Sequence, residues 1–78
     1  MKTNEMLRQI RELGFSYEKA ANLVTVKNQN NYKLAAINTN KKYQINTFLV
    51  GQEMLSSDEG EKLFIILTKF AHTPLNER

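Results

Sequence analysis

Between Lys19 and Val50 the chain places five lysines, Lys19, Lys27, Lys33, Lys41 and Lys42, and no carboxylate. Ammonium groups gathered on one stretch can dock against phosphates, because their summed field attracts opposite charge. The flanks do not share this excess. Residues 1–18 balance three basic groups against three acidic ones, and residues 51–78 sum to −2, so the net +3 belongs to the middle stretch. No arginine joins these lysines, which removes the bidentate contact to base edges that a guanidinium makes. Lysines on exposed strands also keep a sheet soluble and block edge-to-edge pairing.

Other chemistry is thinly represented. His72 is the one imidazole and the only candidate general base, and no Ser, Asp or Cys is arranged around it in sequence. One histidine makes no metal site, and catalysis requires a partnered group. With no cysteine there is no disulfide, thiolate nucleophile or zinc–cysteine site. The acidic run Asp58-Glu59-Gly60-Glu61 lacks the regular oxygen-ligand spacing of a calcium loop. It fits the first turn of a helix, where carboxylates oppose the positive end of the dipole. No glycine-rich phosphate loop is present. No catalytic residue, cofactor or metal is expected.

The elements that must position these groups follow from periodicity. Met6, Leu7, Ile10 and Leu13 recur at helical spacing after a Thr3/Asn4 cap, and Gly14 can end that helix in the left-handed region. Phe15 follows as a core anchor. Three β-rich runs come next: Leu23–Lys27, Tyr32–Ile37 and Lys42–Phe48. Asn28-Gln29-Asn30-Asn31 and Asn38-Thr39-Asn40-Lys41 separate them, and asparagine suits such turns because it tolerates positive φ. Two short loops make two hairpins, hence an antiparallel meander. A final helix is expected from about Ser57 to Ala71, with Ser56 and Glu59 at capping-box spacing. Leu63, Ile66, Leu67 and Phe70 form its stripe, and Thr73-Pro74 ends it.

Hairpin register decides which side chains remain available. Pairing Val26 with Leu34, Val24 with Ala36, Leu34 with Ile45 and Ala36 with Tyr43 puts all of these on the helix-covered face. Thr25, Lys27, Lys33, Ala35, Ile37, Lys42, Gln44 and Asn46 then fall on the open face. Moving one turn by a single residue inverts the split. Tyr32 and Tyr43 are placed on the core side and Phe48 beyond the paired region, which leaves no aromatic platform for single strands. The candidate surface for a partner or for nucleic acid is Lys27, Lys33, Lys41, Lys42, Gln44 and Asn46.

Seventy-eight residues, 41% hydrophobic and 24% charged, suit a single globular domain spanning 1–78. The longest apolar run, Leu63–Thr68, falls far short of the roughly 20 residues a membrane span needs. Met1-Lys2-Thr3-Asn4-Glu5 carries an acid and no apolar stretch, unlike a secretion signal, so a cytoplasmic location is expected. Nine asparagines, with lysine over arginine eight to three, suggest an AT-rich genome.

Three resemblances add to this. The element order resembles that of the double-stranded RNA-binding domain, whose contacts lie in the first hairpin loop and at a lysine-rich start of the last helix. Here those places read Asn28-Gln29-Asn30-Asn31 and Ser57-Asp58-Glu59-Gly60-Glu61, the second acidic where a phosphate would dock. The opening, Met1 to Ile10 and then Gly14-Phe15, resembles the HicA family of small ribonuclease toxins. The hairpin histidine that such toxins use has no counterpart in this sequence. Nearly the full length is similar to small uncharacterised proteins of phages and prophages of low-GC Gram-positive bacteria. Asn4-Glu5-Met6-Leu7, Gly14-Phe15, Tyr43-Gln44-Ile45-Asn46-Thr47, Lys62-Leu63-Phe64 and Phe70–Arg78 carry that resemblance. It implies an accessory protein acting in the host cytoplasm.

The expected fold is α+β, ordered α-β-β-β-α, with a three-stranded antiparallel sheet and two helices packed on one face. The expected function is non-enzymatic: binding of a host or phage protein through the open sheet face or the tail Thr73–Arg78. The alternative is nucleic-acid binding through the basic sheet face. No membrane partner is expected. The chain is a monomer or a homodimer, the latter through Phe64 and Ile65, which flank the helix stripe.

Overall fold

The computed structural model describes residues 1–47 and 57–78. In chain order these form α1 (Thr3–Glu12), β1 (Ser16–Ala20), β2 (Leu23–Lys27), β3 (Lys33–Asn38), β4 (Ile45–Thr47), α2 (Asp58–His72) and a short 3-10 turn, Leu75–Glu77. The strands pair as an antiparallel meander, β1-β2-β3-β4. Met6 and Ile10 of α1 share one core cluster with Leu63, Leu67, Phe70 and Ala71 of α2 and with Val24, Val26 and Ile37 of the sheet. Both helices therefore cover one face of an antiparallel sheet, as the pattern requires. Among the described residues the sheet has four strands where three were expected, and Phe48, the end of the third expected strand, lies outside the described residues.

The additional strand, β1, carries no β-branched residue and only Tyr17 turns inward, half-buried. The Arg11 guanidinium lies 4.9 Å over the Tyr17 ring and completes its packing. Pairing along all of β2 holds this polar edge in place; its own composition does not. The two-residue turn to β2 puts Ala21 at φ 53°, a region that costs an L-residue about 1 kcal/mol. Ala21→Gly is expected to stabilise the protein by about 0.5–1 kcal/mol. The urea midpoint should rise at unchanged slope; a fall would contradict the strain assigned to this turn.

Register corrects the expected division of faces. Val24 faces Ile37 and Val26 faces Ala35, one residue away from the expected pairs, and the next pair is Lys27 with Lys33. Leu34 is left over as an extra residue of β3, a bulge. A bulge turns two successive side chains toward the same side. Leu34 and Ala35 thus both enter the core, with Ile37 on the same face. Ala36 moves to the opposite face, in line with Thr25 and Asn46. Tyr32 and Tyr43 are 59% and 61% exposed, not on the core side.

The helix caps also differ. Lys2, not Thr3 or Asn4, occupies the N-cap position of α1, without a side-chain bond. The Thr3 N–H instead donates to the backbone carbonyl of Arg78 at 3.0 Å, so a distant segment satisfies it. Gly14 closes α1 at φ 92°, as expected. At α2, Ser57 is the cap and its Oγ accepts from the Gly60 N–H at 3.1 Å. The capping role thus lies one residue beyond the expected Ser56, which is outside the described residues. Thr73, before Pro74, leaves the helical region at ψ 130°.

Candidate functional site

The six residues nominated from sequence separate into two groups. Lys27 and Lys33 are cross-strand neighbours at one end of β2 and β3. Gln44 and Asn46 border the other end of β3, next to the turn that carries Lys41 and Lys42. Asn46 lies opposite Ala36, three residues or roughly 10 Å at 3.3 Å per residue from Lys33, and Lys41 and Lys42 lie beyond the far end of β3. A continuous basic face does not form.

At the first end, Glu18 of β1 changes the electrostatics. The Lys27 Nζ forms an ion pair with the Glu18 Oε1, and Lys27 is only 7% exposed. Its stem lies buried while the ammonium reaches the carboxylate at the sheet edge. The hydrogen bond from Lys27 and its charge, with a smaller contribution from Lys33, hold the Glu18 carboxyl below its ordinary value of 4.5. A folded-state value below the unfolded one adds stability that is present above pH 4.5 and lost as pH falls through the folded value. Glu18→Gln is therefore expected to be less stable than the parent at neutral pH and to converge with it in acid. Parallel unfolding curves across the pH series would show this; a constant difference would contradict it.

The second end is a hydrogen-bonded corner, residues 38–46 between β3 and β4. Asparagine side chains shape it locally: the Asn38 Oδ1 accepts from the Asn40 N–H at 2.8 Å. Thr39 ties it to the β1–β2 turn, donating its N–H to the Asn22 carbonyl at 2.7 Å. Arg78 fastens it to the helix layer. The Arg78 Nη1 donates to the carbonyls of Asn38, Thr39 and Lys41 at 3.2, 3.0 and 3.1 Å. Its Nη2 and Nε donate to the carbonyls of Ala71 and Thr73, both at 3.0 Å. The guanidinium also lies 4.5 Å over the Phe70 ring, and burial pushes its pKa down. One planar fork thus joins the end of α2 to the β3–β4 corner.

Tyr43 stands on this corner at φ 63°, a conformation that a bulky residue adopts only when its surroundings impose it. Its N–H donates to the Ala71 carbonyl at 3.0 Å, and its ring meets His72 edge to face, centroids 4.9 Å apart. The Lys42 Nζ lies 5.2 Å over the same ring. The corner thus displays an exposed phenol beside the Lys42 ammonium, with Lys41, Gln44 and Asn46 exposed on the same stretch. Such a set offers hydrogen bonds and charge to a partner; it holds no nucleophile–base pair.

His72 serves the scaffold in this structure, its Nδ1 donating to the Thr68 carbonyl at 2.8 Å. Thr73–Arg78, nominated as a binding tail, packs as a strut: its hydroxyl, backbone and guanidinium bonds reach Met1, Thr3 and the corner. Two shallow clefts, of about 330 Å³ beside Gly14 and about 410 Å³ beside Arg8 and Arg11, lie away from the corner. Among the described residues no group of three His, Cys, Asp or Glu could hold a metal ion, and no helix is long and apolar enough to cross a membrane.

Comparison with protein-family models, curated proteins and solved structures returns no match for this chain. The site therefore stands on its own geometry. Lys41, Lys42, Gln44 and Asn46 lie together at the corner, whereas the sequence reading placed Tyr43 in the core and gave Arg78 no part in arranging them. Tyr43 sits in a lysine- and asparagine-rich turn, a signal of exposure that the alternation argument overrode. Arg78 carried no local signal, since all its bonds are long-range or around the helix end.

Proposed function

We propose that this chain is a non-enzymatic binding protein whose β3–β4 corner, centred on Tyr43, engages a protein partner. The observation that carries this is the corner's preorganisation. Three guanidinium hydrogen bonds from Arg78 hold the backbone of Asn38, Thr39 and Lys41, and two more anchor the guanidinium to Ala71 and Thr73, so the turn that displays Lys41, Lys42, Tyr43, Gln44 and Asn46 is tied to the helix layer. A surface already ordered loses less conformational entropy on binding, and tyrosine is enriched among the residues that dominate protein interfaces. The separation of Lys27 and Lys33 from Lys41 and Lys42, with Glu18 holding Lys27, weighs against a phosphate-tracking face. In line with the phage resemblance, the partner is a host or phage protein of the cytoplasm with acidic groups facing the two lysines.

Capture from host lysate on the immobilised protein tests this when run beside Tyr43→Asn, since asparagine tolerates the same backbone conformation. A protein retained by the parent and lost from the variant is expected. A parallel salt titration against duplex and single-stranded nucleic acid should show no binding near physiological ionic strength, roughly 0.15 M. Binding that persists there and weakens uniformly in the Lys27→Gln, Lys33→Gln, Lys42→Gln triple variant would overturn the proposal in favour of nucleic acid.

A further inference from the structure

The solvent side of α2 carries a second, unrelated pattern. At 100° per residue, Asp58, Glu61, Lys69 and His72 all lie within about 40° of Ile65 around the helix. Ile65 is 47% exposed, opposite the buried Leu63, Leu67 and Phe70, and it sits at the midpoint of Asp58–His72. Acidic and basic side chains are antisymmetric about that midpoint. Asp58 precedes Ile65 by seven residues and His72 follows it by seven; Glu61 precedes it by four and Lys69 follows it by four. The helix dipole accounts for acids first and bases last on any side of a helix. It does not account for all four sharing the side of a central exposed isoleucine.

A two-fold axis perpendicular to the helix at Ile65 turns this pattern into its own complement. Antiparallel α2 helices would bring Asp58 and Glu61 of one copy against Lys69 and His72 of the other, twice over, around two apposed isoleucines. That is the requirement of an isologous interface, in which each contact occurs as a symmetric pair. Phe64, 41% exposed, extends the apolar strip at its edge. The polar side chains within the strip need no outside partner: the Thr68 hydroxyl donates to the Phe64 carbonyl at 2.7 Å, and His72 bonds to Thr68. Covering them therefore breaks no bond.

We propose that the chain forms a homodimer through antiparallel α2 helices crossing at Ile65. This surface meets the corner proposed to bind another protein only at His72, whose ring touches that of Tyr43, and the pairing sets the two Tyr43 corners at opposite ends of the dimer. A 15-residue helix is only about 22 Å long, so the interface is small. A dissociation constant of about 10–100 μM is expected.

Sedimentation equilibrium over about 1–500 μM protein tests the proposal. The mass should rise with concentration from 9.1 kDa toward twice that value. Ile65→Arg, Glu61→Lys and Lys69→Glu, each confirmed as folded by circular dichroism, should associate at least about tenfold more weakly. An equimolar mixture of Glu61→Lys and Lys69→Glu should recover parent-like association, because each altered charge then meets its opposite. A parent that stays monomeric throughout would overturn the proposal. So would a mixture that associates no better than either variant alone, since that removes the charge pairing on which the antiparallel arrangement rests.

Discussion

Arg78→Ala is expected to destabilise the protein by about 3–4 kcal/mol, the largest effect of any partly exposed side chain described. The guanidinium makes five hydrogen bonds to backbone carbonyls of α2, the segment after it and the β3–β4 corner. A hydrogen bond involving a charged group contributes about 1.5–3 kcal/mol net, and bonds sharing one donor group add less than their sum. Arg78→Lys should recover little, because a single ammonium cannot span carbonyls placed on three sides. The loss has a spatial signature. Amide hydrogen exchange should accelerate first at Thr39 and Tyr43, whose N–H bonds depend on the corner staying docked. Uniform acceleration across the sheet would contradict the role assigned to Arg78.

Phe70→Ala should cost about 3–5 kcal/mol, the range for deleting a fully buried aromatic ring. Phe70 is 0% exposed and ranks first by volume among the fully buried side chains described. A domain of 78 residues has a total stability of about 4–12 kcal/mol at 0.05–0.15 kcal/mol per residue, so this one change removes about a quarter or more. Phe70→Leu keeps most of the volume and should cost under half as much. The Arg78 guanidinium stacks on the Phe70 ring at 4.5 Å, so the two sites are coupled. The double variant should lose about 0.5–1 kcal/mol less than the sum of the single losses, the size of a partly exposed cation–π contact. Strict additivity in urea unfolding would contradict the stacking.

The parts of this fold legible in the sequence are those that local physics dictates. The spacing of Met6 and Ile10, the stop at Gly14, the asparagine turns and the stripe Leu63-Leu67-Phe70 each follow from a few neighbouring residues. Two features did not. β1 is polar and is held by pairing with β2, so no alternation marks it, and its Glu18 vanished from the charge map of the sheet. The bulge at Leu34 adds one residue to β3, and one residue is enough to invert a face. Leu34 itself reads as core in either register, which hid the shift, while Ala35 and Ala36 are too alike to reveal it. Of the six nominated residues, the four at the corner owe their arrangement to Arg78, more than 30 positions away in the chain. Contacts of that separation leave no trace in local periodicity.

The corner's role, as proposed, is tested most directly by placing a photo-crosslinking phenylalanine analogue at Gln44, and separately at Glu12 on α1, in cells of the proposed low-GC Gram-positive host. The Gln44 probe is expected to yield a discrete protein adduct that disappears when Tyr43→Asn is added, while the Glu12 probe yields none. Identical adducts at both positions, or an adduct to nucleic acid at Gln44, would contradict the account of the corner as a protein-binding site.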